Sequence, residues 1–80
     1  MNEKISEVIQ IVNEIVEEAN VNGDMLTQDL REVGMDSIAF VKVIIEIEDR
    51  YDIEIPDKYL KIQDMNTIEK MVAVLEELTE

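Results

Sequence analysis

The chain has 80 residues, of which 46% are apolar, carries a formal net charge of −13, and contains neither histidine nor cysteine. Its length predicts one small domain over residues 1–80, whose modest core buries roughly 60–65% of the unfolded surface. Seven basic residues are too few for a nucleic-acid-binding surface, and the missing side chains remove the usual general base, zinc ligands and thiol nucleophile.

Charged residues interrupt every apolar run, so no membrane span is predicted, and the N-terminus lacks the basic-then-apolar layout of a signal peptide. We therefore expect a monomeric cytoplasmic protein. The inventory of side chains argues against a stand-alone enzyme. The acidity favours partners with basic surfaces, and it also helps to keep a small protein in solution; the two interpretations are compatible.

Apolar residues at a three-to-four spacing predict an amphipathic helix over residues 2–19, with Asn2 as its N-cap. Glutamates occupy the opposite face. Ile11 lies outside the apolar stripe and receives no role. The stripe consists of Ile5, Val8, Ile9, Val12, Ile15, Val16 and Ala19.

A long connection follows over residues 20–36. Its turn-forming residues exclude a continuous helix, although a short helical turn is expected near residues 28–32. A connection this long in a small domain is usually functional or disordered. Its apolar residues favour a functional loop that packs on the helices; they are Met25, Leu26, Leu30 and Val33.

A second helix is predicted over residues 37–51, with Asp36 as its N-cap. Its apolar arc is roughly 220° wide, about twice what a surface helix needs. The excess is a second stripe formed by Ile38, Val41 and Ile45. Either this helix is the central one of the bundle or this stripe faces a partner, and the pattern alone leaves both open.

Pro56 prevents the second helix from continuing and predicts an extended connector over residues 52–57 that brings two isoleucines to the core. A short third helix is expected over residues 57–62, with Tyr59, Leu60 and Ile62 as its apolar contacts. The last helix is predicted over residues 67–78, with Asn66 and Glu69 at the spacing of a capping box. The predicted fold is all-α: a small four-helix bundle of three longer helices and one short third helix, with a long first loop.

Residues 18–29 partly match a calcium-binding EF-hand loop. The first position should be aspartate and is Glu18, and the twelfth should be glutamate and is Asp29. Turn-rich loops after acidic helices give such partial matches by chance. We therefore rank calcium binding low.

Ser37 lies where the long loop meets the second helix. Since Asp36 can cap that helix, the serine hydroxyl is left exposed, and no histidine is present to activate it as a nucleophile. The hydroxyl is better interpreted as the acceptor of a modification. A phosphate group there would lie at the positive end of the helix dipole.

The segment GMDSI at residues 34–38, the apolar helix after it and DIEIPD at residues 52–57 resemble the acyl and peptidyl carrier protein family, and the resemblance extends over the whole chain. It implies a 4′-phosphopantetheine arm, transferred from coenzyme A to the Ser37 hydroxyl by a phosphopantetheinyl transferase, with Asp36 orienting the loop. The thiol of the arm would hold an acyl or aminoacyl group as a thioester for separate loading and condensing enzymes. The resemblance also implies a docking stripe of Ile38, Val41 and Ile45, rimmed by Glu46, Glu48 and Asp49.

Two departures bear on the pathway. Fatty-acid-synthesis carriers usually have leucine after the serine and acidic residues on the next turns, where this chain has Ile38, Ala39 and Lys42. These residues favour a carrier in peptide or polyketide assembly over one in fatty-acid synthesis, and a D-alanine carrier in cell-wall modification is a further alternative. The alternative to a carrier is an acidic helical adaptor, a protein that binds partners through the same stripe and has no prosthetic group. An adaptor does not require an exposed serine at this junction.

Overall fold

The computed structural model describes residues 3–79, and within them the chain is all-α, as predicted. Three α-helices form the fold: α1 (Glu3–Ile15), α2 (Ser37–Tyr51) and α3 (Ile68–Leu78). Short 3-10 turns join them, and no strand occurs in this part of the chain; the turns are Gly23–Met25, Leu30–Val33, Asp57–Tyr59 and Ile62–Asp64. None of the helices seen in residues 3–79 is long and apolar enough to span a bilayer. The predicted N-cap Asn2 lies outside the described residues.

Helix α1 packs against both α2 and α3. Its buried arc is therefore wider than the single apolar stripe predicted. Val8, Ile11 and Val12 are completely buried, whereas Ile9 and Ile15 are only half-buried. Ile11, which lies outside the predicted stripe, is thus part of the core because α1 is covered by two helices instead of one.

Helix α1 ends at Ile15, four residues earlier than predicted. Continuation would place Glu17 and Glu18 at the negative end of the helix dipole, where acidic side chains are disfavoured. The side chain of Asn13 pairs instead with the backbone of Val21: Nδ2 donates to the carbonyl at 2.9 Å, and Oδ1 accepts from the N–H at 2.8 Å. These two bonds hold the chain where it turns back along α1.

The long connection is fixed to the first turn of α3 and to the segment immediately before it. Leu30 N donates to Asn66 O at 2.7 Å, and Glu69 N donates to Leu26 O at 2.9 Å. Leu30 is completely buried, which confirms that the loop packs on the helices. The helical turn expected near residues 28–32 is present as the 3-10 turn Leu30–Val33.

The short third helix predicted over residues 57–62 is not formed. Two 3-10 turns occupy this region, and Lys61 separates them in an extended conformation with φ −108° and ψ 128°. Leu60, expected as a core contact of that helix, is exposed, so the segment buries too little apolar surface to stabilise a continuous helix. The preceding connector is extended as predicted, with Ile55 buried and Ile53 half-buried.

The N-cap of α3 is Thr67, whose Oγ1 accepts from Lys70 N at 3.1 Å. The prediction that Asn66 caps this helix is wrong. Asn66 is buried, its Oδ1 accepts from Lys70 Nζ at 3.0 Å, and its carbonyl binds the long connection. Asn66 therefore joins the first loop to α3 and is not available for capping.

Candidate functional site

The chain enters α2 through a turn that is closed by Gly34. This residue has a φ of 109°, its N–H donates to Arg31 O at 3.4 Å, and Met35 N donates to Leu30 O at 3.0 Å. The two bonds form a Schellman-type ending, in which glycine is favoured because its φ is positive. Met35 is 2% exposed and packs in the core, so the chain is anchored immediately before the predicted site.

Asp36 caps α2, as predicted. Its Oδ1 accepts from Ala39 N at 2.8 Å, and its carbonyl accepts from Phe40 N at 2.8 Å. Ser37 follows as the first helical residue. It is exposed, and its hydroxyl makes no hydrogen bond to another side chain in residues 3–79. The cap therefore holds the backbone while it leaves the serine hydroxyl free.

The docking stripe points to solvent. Ile38, Val41 and Ile45 are 69%, 54% and 57% exposed. The buried face of α2 lies on the opposite side, and α1 packs against both α2 and α3. Helix α2 is therefore not the central helix, and no residue in 3–79 covers its second apolar stripe; that this stripe faces a partner stays a prediction. Contiguous exposed apolar residues are typical of interaction surfaces.

The three acidic residues predicted around the stripe have different surroundings. Glu46 Oε2 lies 3.5 Å from Arg50 Nη2, so its charge is partly compensated. Glu48 is half-buried, and its Oε2 accepts from Ile55 N at 2.7 Å. Asp49 is exposed and makes no ion pair within residues 3–79. Asp49 is thus the most available of the three for a basic partner, whereas Glu48 also holds the connector after α2.

A cleft of about 340 Å³ lies beside Ser37, between α2 and the two 3-10 turns that precede α3. Its walls are apolar apart from Ser37 and Glu48. Sequence reasoning missed Leu60 as an exposed wall residue, because it assigned Leu60 to a buried helix face. The cleft is lined by Ser37, Phe40, Val41, Ile44, Ile45, Glu48, Leu60 and Ile62.

The calcium-loop alternative finds no support in the side-chain arrangement. Among residues 3–79, no three or more acidic, histidine or cysteine side chains are grouped so as to hold a metal ion. Asp29, the twelfth position of that loop, binds Arg31, whose Nε and Nη2 donate to the carboxylate at 3.1 and 2.8 Å. These hydrogen bonds hold the pKa of the Asp29 carboxyl far below its usual range. Asp29 therefore serves the loop structure.

Comparison with known proteins shows which family has these features. The family described as "Phosphopantetheine attachment site" matches residues 6–75. The chain belongs to this family. D-alanyl carrier proteins from Streptococcus gordonii, Streptococcus sanguinis and Streptococcus thermophilus are each 39% identical to it over 74 residues, which is 91% of this chain and 91% of each relative. No solved structure matches the chain.

The family match confirms the prediction of a non-catalytic carrier whose prosthetic group is 4′-phosphopantetheine and which serves separate enzymes. The residues at the start of α2 fit this group. Ser37 offers an exposed hydroxyl, and the first N–H groups of a helix lack intrahelical acceptors and favour a phosphate. The adaptor alternative, which needs no prosthetic group, does not account for the match.

Proposed function

We propose that this chain is an aminoacyl carrier, in which a 4′-phosphopantetheine arm on Ser37 Oγ holds D-alanine or a similarly small amino acid as a thioester. The observation that carries the proposal is the exposed Ser37 hydroxyl at the Asp36-capped start of α2, in a chain of the carrier family. The relatives' names favour D-alanine over the peptide, polyketide and fatty-acid cargoes. When bound, the group supplies a thiol, which this cysteine-free chain lacks.

Attachment of the arm makes one bond and breaks one. The Ser37 oxygen bonds to the phosphorus of coenzyme A that bears pantetheine, and the bond from that phosphorus to adenosine 3′,5′-bisphosphate breaks. The hydroxyl proton must pass to a base. This chain has no histidine, and one oxygen of the Asp36 carboxylate is held by Ala39 N as the cap of α2. The base is therefore assigned to the transferase, while this chain contributes a fixed backbone and a free hydroxyl.

The docking stripe supplies the partner surface in this proposal. Ile38 follows Ser37 directly and is the most exposed of the three stripe residues, so an enzyme that covers it is held beside the attachment point. Asp49 provides a charge for a lysine or arginine of the partner. A patch of this size suits the short encounters that a carrier needs, because it must leave one enzyme before it meets the next. We place this exchange in the cytoplasm, where coenzyme A is available, with the chain as a monomer.

Intact-mass measurement tests the attachment. The chain is incubated with coenzyme A and a broad-specificity phosphopantetheinyl transferase, beside Ser37→Ala and Ser6→Ala, the latter replacing the only other serine. The wild type and Ser6→Ala should each gain one phosphopantetheine, and Ser37→Ala should gain none. A gain in Ser37→Ala, or no gain in a folded wild type, would refute the assignment.

Loading tests the cargo separately. The pantetheinylated protein is offered D-alanine, L-alanine and a fatty acid, each with an ATP-dependent ligase specific for that acid. Transfer of D-alanine in clear preference to the fatty acid is expected. Preferential loading of the fatty acid would refute the aminoacyl proposal and leave the carrier assignment intact.

A further inference from the structure

The cleft beside Ser37 has polar groups at two places on its α2 wall. Ser37 and Glu48 are separated by three helical turns, so they lie on the same side of α2 and about 16 Å apart along its axis. Both line the cleft, and the wall between them is apolar, with Val41 and Ile44. The cleft is thus an apolar passage with the attachment hydroxyl near one end and a carboxylate near the other.

The Glu48 carboxylate has unused binding capacity. Its Oε2 accepts from Ile55 N at 2.7 Å, but an ionised carboxylate offers about four acceptor positions. Arg31 pairs with Asp29 and Arg50 with Glu46, and neither of these ion pairs includes Glu48. Glu48 is the charged residue of a cleft whose walls are otherwise apolar apart from Ser37, so a cation that enters the cleft would find a favourable partner there.

The reach of the arm is comparable with the length of the passage. About fourteen bonds separate the serine oxygen from the thiol sulfur, and an extended chain of that length spans roughly 15–17 Å at the reach per bond of an extended backbone. An aminoacyl thioester has an ammonium group on the carbon next to its carbonyl, whereas a simple acyl thioester has none.

We propose that Glu48 binds the ammonium group of the aminoacyl cargo when the loaded arm lies in this cleft. The inference rests on the proposed function and adds a residue that distinguishes aminoacyl from uncharged acyl cargo. The ammonium would meet the carboxylate oxygen that Ile55 N leaves free, while the apolar walls contact the arm. A partly exposed pair of this kind should strengthen binding by about two- to fivefold.

The test compares two cargoes of the same shape. Coenzyme A analogues that carry a ¹³C-labelled alanyl or an isobutyryl group through a stable amide are attached to Ser37 by a broad-specificity transferase. Isobutyryl has a methyl group where alanyl has its ammonium, so the two have nearly the same shape and differ in the charge and hydrogen-bond donors of that group. The readouts are the NMR signal of the Ile55 amide, whose N–H donates to Glu48, and the titration of the labelled alanyl group.

The variants separate Glu48 from the general charge of the protein. Glu48→Gln removes the charge but keeps an oxygen that can accept from Ile55 N, whereas Glu54→Gln removes an equal charge from an exposed position nearby. The alanyl cargo should shift the Ile55 amide signal in the wild type more than isobutyryl does. The proton affinity of the alanyl amine should fall about two- to fivefold in Glu48→Gln relative to Glu54→Gln.

Equal effects of the two cargoes on the Ile55 amide would overturn the inference. Equal proton affinities in Glu48→Gln and Glu54→Gln would also overturn it. The comparison of cargoes in the wild type needs no variant to fold. Failure of attachment at Ser37 is seen earlier, in the intact mass, and would refute the proposed function and this inference with it.

Discussion

Replacing Gly34 by alanine tests whether the turn before α2 positions Ser37. Gly34 has a φ of 109°, and left-handed conformations cost an L-residue about 1–2 kcal/mol. An added Cβ would lie 3.3 Å from Glu18 Oε2 and 3.5 Å from Val16 Cγ1. The Glu18 side chain is exposed and can move away, so the backbone conformation should dominate the cost.

The alanine also restricts the unfolded chain, which favours folding by about 0.4–1 kcal/mol. The net expectation is a loss of about 1 kcal/mol in the free energy of unfolding. For a domain of this size, that loss lowers the melting temperature by roughly 4–8 °C. Gly23 is the only other glycine, and it does not have a positive φ. Gly23→Ala should therefore leave the melting temperature unchanged or slightly raised.

Circular dichroism gives the melting temperatures of Gly34→Ala and Gly23→Ala for the first comparison. The second comparison is between the initial rates at which the transferase modifies the two variants. Because the Gly34 turn fixes the chain immediately before Asp36, Gly34→Ala should also be modified more slowly than Gly23→Ala at a temperature where both are folded. Coinciding melting temperatures would refute the strain argument. A lowered melting temperature with an unchanged modification rate would refute the link from this turn to the site.

Three further substitutions test other contacts. Burial, reinforced by the negative charge of Glu7, raises the pKa of the Tyr51 phenol to about 12 from 10.0, so its stabilising contribution is full below pH 10 and is lost as the pH rises towards 12. Tyr51→Phe should lack that alkaline loss in urea unfolding curves. At pH 7 it should match the wild type within about 1 kcal/mol, because the phenol oxygen has no hydrogen-bond partner in the described part of the chain. An alkaline loss in the variant as large as that of the wild type would contradict the assignment. Asn13→Ala removes both hydrogen bonds to the backbone of the buried Val21 and should lower the free energy of unfolding in urea by about 1–3 kcal/mol. An unchanged free energy of unfolding would show that water replaces these bonds. Asp36→Ala should lower the free energy of unfolding by about 1 kcal/mol through the lost cap. Asp36→Asn should keep that stability, since asparagine caps equally well. Calorimetry of both variants checks this, and an Asn variant as unstable as the Ala variant would contradict the role of the cap.

Helix α2 was predictable from sequence because its limits are set locally. Asp36 begins it through a bond to a residue three positions on, and the spacing of its apolar residues is that of a helix. The position of the second apolar stripe could be predicted, but whether it is exposed could not, since exposure depends on which helix is central. That is decided by how α1 packs.

The features that sequence reasoning missed depend on contacts between distant parts of the chain. Asn66 and Thr67 are both good N-caps, and the choice is made by Leu30, whose N–H binds the Asn66 carbonyl. The early end of α1 depends on Asn13 binding Val21 across a turn. Glu48 looked like a surface charge because its partner, the Ile55 N–H, belongs to a connector whose path no local pattern gives.

Val41 and Ile45 belong both to the docking stripe and to the wall of the cleft. A docking partner and a cargo that occupy the two surfaces as proposed would compete for these side chains, so their binding free energies would be negatively coupled. Such coupling is reciprocal: cargo that stays in the cleft weakens docking by the same factor by which docking weakens retention of the cargo. An arriving enzyme would thus drive release of what it is about to receive, without any other part of the molecule having to move.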